Sequence, residues 1–123
     1  MPIESSITHS IIAYIKLLGG YAEKVKGDSS ASGRPDINAC YRGRCLRIEV
    51  KTPDNRNKTS KKQDINLKRW SRAGAVCMAV YSKIAVKYFI TCLNMGKTGS
   101  LLYTEKNSCT STCIIPEELF DEY

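Results

Sequence analysis

Apolar residues recur at three- and four-residue steps through Ile3, Ile7, Ile11, Tyr14, Ile15 and Leu18, a spacing that predicts an amphipathic helix. Gly19-Gly20 ends it. Residues 21–25 read as a short strand, and the Gly-, Ser- and Asp-rich stretch 26–35 as a flexible loop. Residues 36–41 and 44–51 flank a turn near Gly43 and predict a β-hairpin. A polar, basic loop follows over 52–59. Ser60 is placed to cap a second helix, about 61–73, whose apolar positions are Ile65, Leu67 and Trp70. Their shared spacing puts Trp70 in the core. Residues 76–81 are almost wholly apolar, as expected of a strand covered on both faces. Ser82 can cap a third helix reaching about Leu93. After Gly96 the pattern weakens. Leu101-Leu102-Tyr103 suits an edge strand, and residues 116–120 a short terminal helix. The order α-β-β-β-α-β-α predicts an α/β fold, a small mixed sheet flanked by helices. The length of 123 residues suits one domain, 1–123, with a core over about 3–93 and a C-terminal extension over 94–123.

Charge changes the picture more than composition does. Lys and Arg outnumber Asp and Glu by 19 to 12. Residues 91–123 hold two bases and five acids, so the positive excess lies in the first ninety residues. A basic body favours a polyanionic partner, nucleic acid first. A solvated basic surface is the plainer alternative. Six cysteines (40, 45, 77, 92, 109, 113) could belong to a secreted disulfide scaffold. Met1-Pro2-Ile3-Glu4 has no signal-peptide character, however, and Cys40, Cys45 and Cys77 sit in apolar runs where free thiols act as small hydrophobes. Free thiols, a cytoplasmic location and no membrane span are expected. Zinc at Cys92, Cys109 and Cys113 lacks an evident fourth ligand.

The hairpin carries the chemistry. Strand side chains alternate, so Glu49 and Lys51 emerge on one side while Ile48 and Val50 face the other. With Asp36 at the start of the preceding strand, two carboxylates and an ammonium gather at one end. Such a group is costly to bury and hard to justify as packing, whereas it suits a divalent metal and a phosphate. Phosphodiester hydrolysis needs charge neutralised, a water activated and a leaving oxygen stabilised, and a carboxylate-held metal serves all three. Mg²⁺ keeps several waters, so Asp36, Glu49 and the Val50 backbone carbonyl are protein enough. Lys51 can orient or help deprotonate the attacking water, and counter charge on the phosphate. The plain alternative is a surface hairpin on which Glu49 pairs with Lys51.

Pro35-Asp36 followed by Glu49-Val50-Lys51 resembles the signature of the PD-(D/E)XK nucleases, which share a restriction-endonuclease-like fold. More narrowly, the chain resembles a stand-alone VRR-Nuc domain over about residues 3–93. The further matching pieces are Glu4 on the early helix, Gly33-Arg34-Pro35-Asp36, Ser60-Lys61-Lys62-Gln63, Gly74-Ala75-Val76 and Val80-Tyr81-Ser82. That resemblance implies a DNA endonuclease using Mg²⁺, with Mn²⁺ as substitute, in the cytoplasm of a bacterial or phage-infected cell. By the same resemblance Asp36 and Glu49 are metal ligands, Lys51 the catalytic lysine and Gln63 a site glutamine. It also extends the site to Glu4, which can reach the metal in related nucleases. The leading substrate it implies is branched DNA, a four-way (Holliday) junction cut by a homodimer. Flap or duplex cutting in a restriction or packaging system, and a non-catalytic nucleic-acid-binding module, are the rivals.

The supporting residues have structural alternatives. Glu4 in a first helical turn is favoured by the helix dipole. Ser60-x-x-Gln63 is a capping box. Arg34, Arg56, Lys58, Lys61 and Lys62 form the expected DNA-binding set, with Lys61 and Lys62 at a helix N-terminus that also favours phosphate. Lys68, Arg69 and Arg72 extend it, and Lys24 and Lys26 could contact the backbone too. His9, the only histidine, has no partner nearby and is expected to face solvent. Leu101, Leu102, Leu119 and Phe120 are the candidates for a dimer surface.

Overall fold

A computed structural model describes residues 4–25, 36–53 and 61–117, with only the backbone described at 61–63. Three helices and six strands follow in the order α1 (Glu4–Leu17), β1 (Tyr21–Lys24), β2 (Ile37–Tyr41), β3 (Arg44–Val50), α2 (Lys61–Arg72), β4 (Val76–Val80), α3 (Lys83–Asn94), β5 (Gly99–Thr104) and β6 (Thr110–Ile115). The strands form one mixed sheet, ordered β1-β2-β3-β4-β6-β5. Only β3 and β4 run parallel, joined through α2.

The β2–β3 hairpin turns at Arg42 (φ 49°) and Gly43 (φ 78°). Positive φ at both central residues is the two-residue I′ geometry, whose twist matches that of the flanking strands. It sets the register, with Tyr41 opposite Arg44 and Ile37 opposite Ile48. Alternation then sorts the side chains. Ile37, Ala39 and Tyr41 share one face with Leu46, Ile48 and Val50 and with Val76, Met78 and Val80. α1 and α3 cover that face, contributing Ile7, Ile11 and Ile15, and Val86, Phe89 and Ile90. Ser82 caps α3 by accepting from the Ala85 N–H at 3.2 Å.

The second face carries Cys45, Arg47 and Glu49, and α2 lies against it. Here one expectation fails. Trp70 is 36% exposed and stacks beneath the Arg47 guanidinium, 3.9 Å from its ring centroid, while Ile65 is 49% exposed. The α2 face meets a polar strand face, so its apolar residues act as lids and not as core.

The end of the chain also departs from the sequence pattern. β6 inserts between β4 and the edge strand β5. Cys113 and Ile115 join the main core, so 99–115 completes the sheet. β6 escapes notice because the inward positions of its Thr-Ser-Thr-Cys-Ile-Ile run are Ser111, Cys113 and Ile115, of which only Ile is a strong apolar signal. Leu101, proposed for a dimer surface, packs against the core, whereas Leu102 is 65% exposed. Leu119, Phe120 and most of the expected terminal helix lie outside the described residues. All six cysteines are free, although Cys40 is exposed and so is not a core hydrophobe. Among the described residues no helix is long and apolar enough to cross a membrane.

Candidate active site

The ladder between β2 and β3 reaches Ile37 opposite Ile48, and one step further sets Asp36 opposite Glu49. Pairs flanking a two-residue turn exchange hydrogen bonds, so alternation makes this step a non-hydrogen-bonded pair, the kind that brings side chains closest. The Val50 N–H donates to Asp36 Oδ2 at 2.7 Å, fixing one oxygen of that carboxylate. The Val25 N–H donates to the Asp36 carbonyl at 2.9 Å, tying the end of β1 to the same spot. On the other side the Lys51 N–H donates to the Val80 carbonyl at 2.8 Å. Lys51 is thereby held at the C-terminal end of the parallel pair, just past Glu49.

Glu49 is one of three buried polar residues in the described chain, at 5% exposure. Burial raises its pKa, and the Asp36 carboxylate and a hydrogen bond with it push further, to about 9; Lys51 opposes and Glu4 adds to the rise. Glu4, in the first turn of α1, is raised by partial burial and then by Asp36, while Lys24 opposes. Three carboxyls from α1, the start of β2 and the end of β3 thus feel one another electrostatically. Like charges so placed cannot all ionise unless something positive joins them. The hard oxygen donors and the mutual repulsion fit a divalent cation of the Mg²⁺ type. Among the described residues no three His, Cys, Asp or Glu side chains close into a metal cage by themselves. Asp36 and Glu49 are the side chains whose oxygens fit such an ion, with Glu4 at the edge of the cluster.

Not every sequence-derived residue is placed. Arg34, Arg56 and Lys58, and the side chains of Lys61, Lys62 and Gln63, lie outside the described residues; so does Lys26. The backbone of 61–63 opens α2. Lys68, Arg69 and Arg72 are exposed along α2, and His9 is exposed on α1. Cys92, Cys109 and Cys113 are buried without forming a metal site among the described residues.

The arrangement is the α/β architecture of a restriction-endonuclease-like core, with acidic and lysine side chains at the end of a hairpin strand beside a parallel neighbour. One solved structure described as a VRR_NUC domain superposes with a TM-score of 0.60 at 26% sequence identity, over 72% of this chain and 94% of that one. No family model and no curated protein matches the sequence. The chain has the VRR-Nuc fold, as its motifs implied.

Proposed function

We propose that this protein is a Mg²⁺-dependent, structure-selective DNA endonuclease. The observation that carries the reading is Asp36 and Glu49 facing each other across the hairpin end with Lys51 beside them. Asp36, Glu49 and the Val50 carbonyl hold the metal, and Mn²⁺ can replace it. The bound ion supplies charge neutralisation at the phosphate and an acidified water. Asp36 is oriented for this by the Val50 N–H, and Glu49 is kept off bulk water by the sheet and its neighbours. Lys51 positions the attacking water, takes part in its deprotonation and counters charge on the phosphate. Gln63 contributes an amide from the start of α2, and the basic residues Arg34, Arg56, Lys58, Lys61 and Lys62 contact the DNA backbone.

The favoured substrate is a four-way junction, by analogy with the junction-resolving enzymes that stand-alone VRR-Nuc proteins resemble, and a homodimer is favoured because one site per chain and two strands to cut invite two-fold symmetry. The test is a panel of labelled four-way junction, flap and plain duplex, incubated with Mg²⁺ or with chelator, beside the Lys51→Ala protein. Paired symmetric nicks in the junction, absent with chelator and reduced about 100-fold or more in Lys51→Ala, are the expected result. Equal cutting of duplex and junction would replace the resolvase reading by a nuclease of broader habit. Undiminished cutting by Lys51→Ala would remove that lysine from the mechanism.

A further inference from the structure

A concavity opens at the edge of the face covered by α1 and α3, is lined by none of the carboxylates of the cluster and is not used by the chemistry above. Its volume is about 460 Å³, within the roughly 300–1,000 Å³ of ordinary small-ligand pockets. Its walls come from the front of α1, the loop after β3, the β4–α3 junction and the β5–β6 turn. Chain neighbours link it to the candidate active site. Pro53 lies two residues past Lys51, and Tyr81 follows Val80, whose carbonyl accepts the Lys51 N–H. Ile7, on another wall, is one helical step from Glu4.

The lining is a mixture with a chemical meaning. Ile7, Pro53, Tyr81 and Ile84 supply apolar and aromatic surface. Glu105 and Asn107 supply polar groups from the β5–β6 turn, with Lys83 at the α3 end. A carboxylate repels phosphate, so the interior does not suit the DNA backbone. It does suit the edge of a nucleobase, whose exocyclic amino group donates to a carboxylate. The turn is pinned: the Glu105 N–H donates to the Cys109 carbonyl, and the Cys109 N–H to Asn107 Oδ1 at 3.1 Å. The buried Ser111 hydroxyl accepts from the Tyr81 N–H at 3.0 Å, fastening β6 to the β4–α3 junction.

We infer that this pocket receives one nucleobase unstacked from the DNA strand next to the cut. The inference rests on the nuclease reading and refines its substrate class, to DNA carrying an unpaired or easily unpaired nucleotide beside the scissile phosphate. Extrusion costs least where a base is already unpaired, as at a branch point, mismatch or single strand. Apolar walls shelter the base faces, Glu105 reads an amino group, and Lys83 meets the phosphate of the displaced nucleotide. Residues 99–115 acquire a role, since without them the wall formed by the β5–β6 turn is missing.

The test uses 2-aminopurine, which brightens when unstacked, placed at each position flanking the mapped cut. The Lys51→Ala protein is used with Mg²⁺ so that the strand survives. Binding should raise the fluorescence several-fold at one position only. Adding Ser10→Trp, which fills the pocket from α1, should abolish that rise, and in otherwise wild-type protein should lower kcat/KM on the branched substrate about tenfold or more. A silent probe at every position, or an unaltered kcat/KM in a Ser10→Trp protein whose melt is normal, overturns the inference while leaving the nuclease reading intact. A wild-type protein that cuts no DNA removes the parent reading instead, and this one with it. Should Ser10→Trp not fold, Glu105→Gln on the exposed turn carries the test. It should change the preference among the four bases at the reporting position by about tenfold, the weight of a charged hydrogen bond. An unchanged preference overturns the inference.

Discussion

Glu49 sets the residue-scale behaviour of the protein. Its pKa is raised from 4.5 to about 9 by burial and by Asp36. A raised folded-state value means that its contribution to stability is full below pH 4.5 and is lost as pH rises toward 9. Near pH 7 keeping this side chain protonated therefore destabilises the metal-free protein by on the order of 3 kcal/mol. Glu49→Gln keeps the shape without the ionisable proton. Thermal melts in chelator at pH 7.5 should place Glu49→Gln several degrees above wild type, with the gap closing toward pH 5, while DNA cleavage is lost. A variant that is less stable than wild type at both pH values would refute this account of Glu49. Added Mg²⁺ should raise the melting temperature of wild type and not of Glu49→Gln, because ligand binding to the folded state shifts stability by mass action.

At the scale of elements, the site depends on how α1 is seated against the hairpin. Gly20, just after the helix, approaches β2 so closely that an added Cβ would stand 2.8 Å from the Cys40 carbonyl oxygen and 2.9 Å from Ile15 Cγ2. The obstacle is steric, since one of the colliding atoms belongs to backbone. Gly20→Ala should cost about 1–3 kcal/mol in a denaturant melt, and by displacing α1 should also shift Glu4 from the carboxyl cluster. The helix–strand contact at Gly20 was not legible beforehand, because Gly19-Gly20 reads simply as a helix stop. The I′ turn at Arg42-Gly43 was partly legible through Gly43, whereas a positive φ at Arg42 has no side-chain signature. α2 misled for a related reason. Its apolar spacing was real, but the sheet face opposite it holds Arg47 and Glu49, so Trp70 covers a guanidinium instead of filling a core.

For the whole molecule, burial sorts six free thiols by reactivity. Cys40 is exposed and Cys45 half-buried, whereas burial lifts the Cys77 thiol to about 11 and the Cys113 thiol further. Only thiolates react readily. Alkylation of the folded protein at pH 8 should label Cys40 first and spare Cys77 and Cys113 until denaturant is added, as peptide mass mapping would read. Early labelling of Cys113 would mean that β6 is not docked between β4 and β5. The basic excess makes a second molecular-scale expectation: DNA affinity should fall steeply and linearly on a log–log plot of salt concentration, because bound phosphates release counterions.

The sequence by itself determined the local geometry and the candidate chemistry. Helix periodicity, the cap at Ser82 and the alternating hairpin are short-range properties, and so is the placement of Asp36, Glu49 and Lys51 at one end of the hairpin. Those residues are at most fifteen apart, and their relation needs only a hairpin register. What tertiary structure decided was everything that depends on distant partners. It set the depth of Glu49, the approach of Glu4 from α1, the insertion of β6 beside β4 and the pocket walled by the β5–β6 turn. The reason is physical: burial and like-charge repulsion are fixed by what packs across a strand, and a period-two pattern names the face without naming its neighbour.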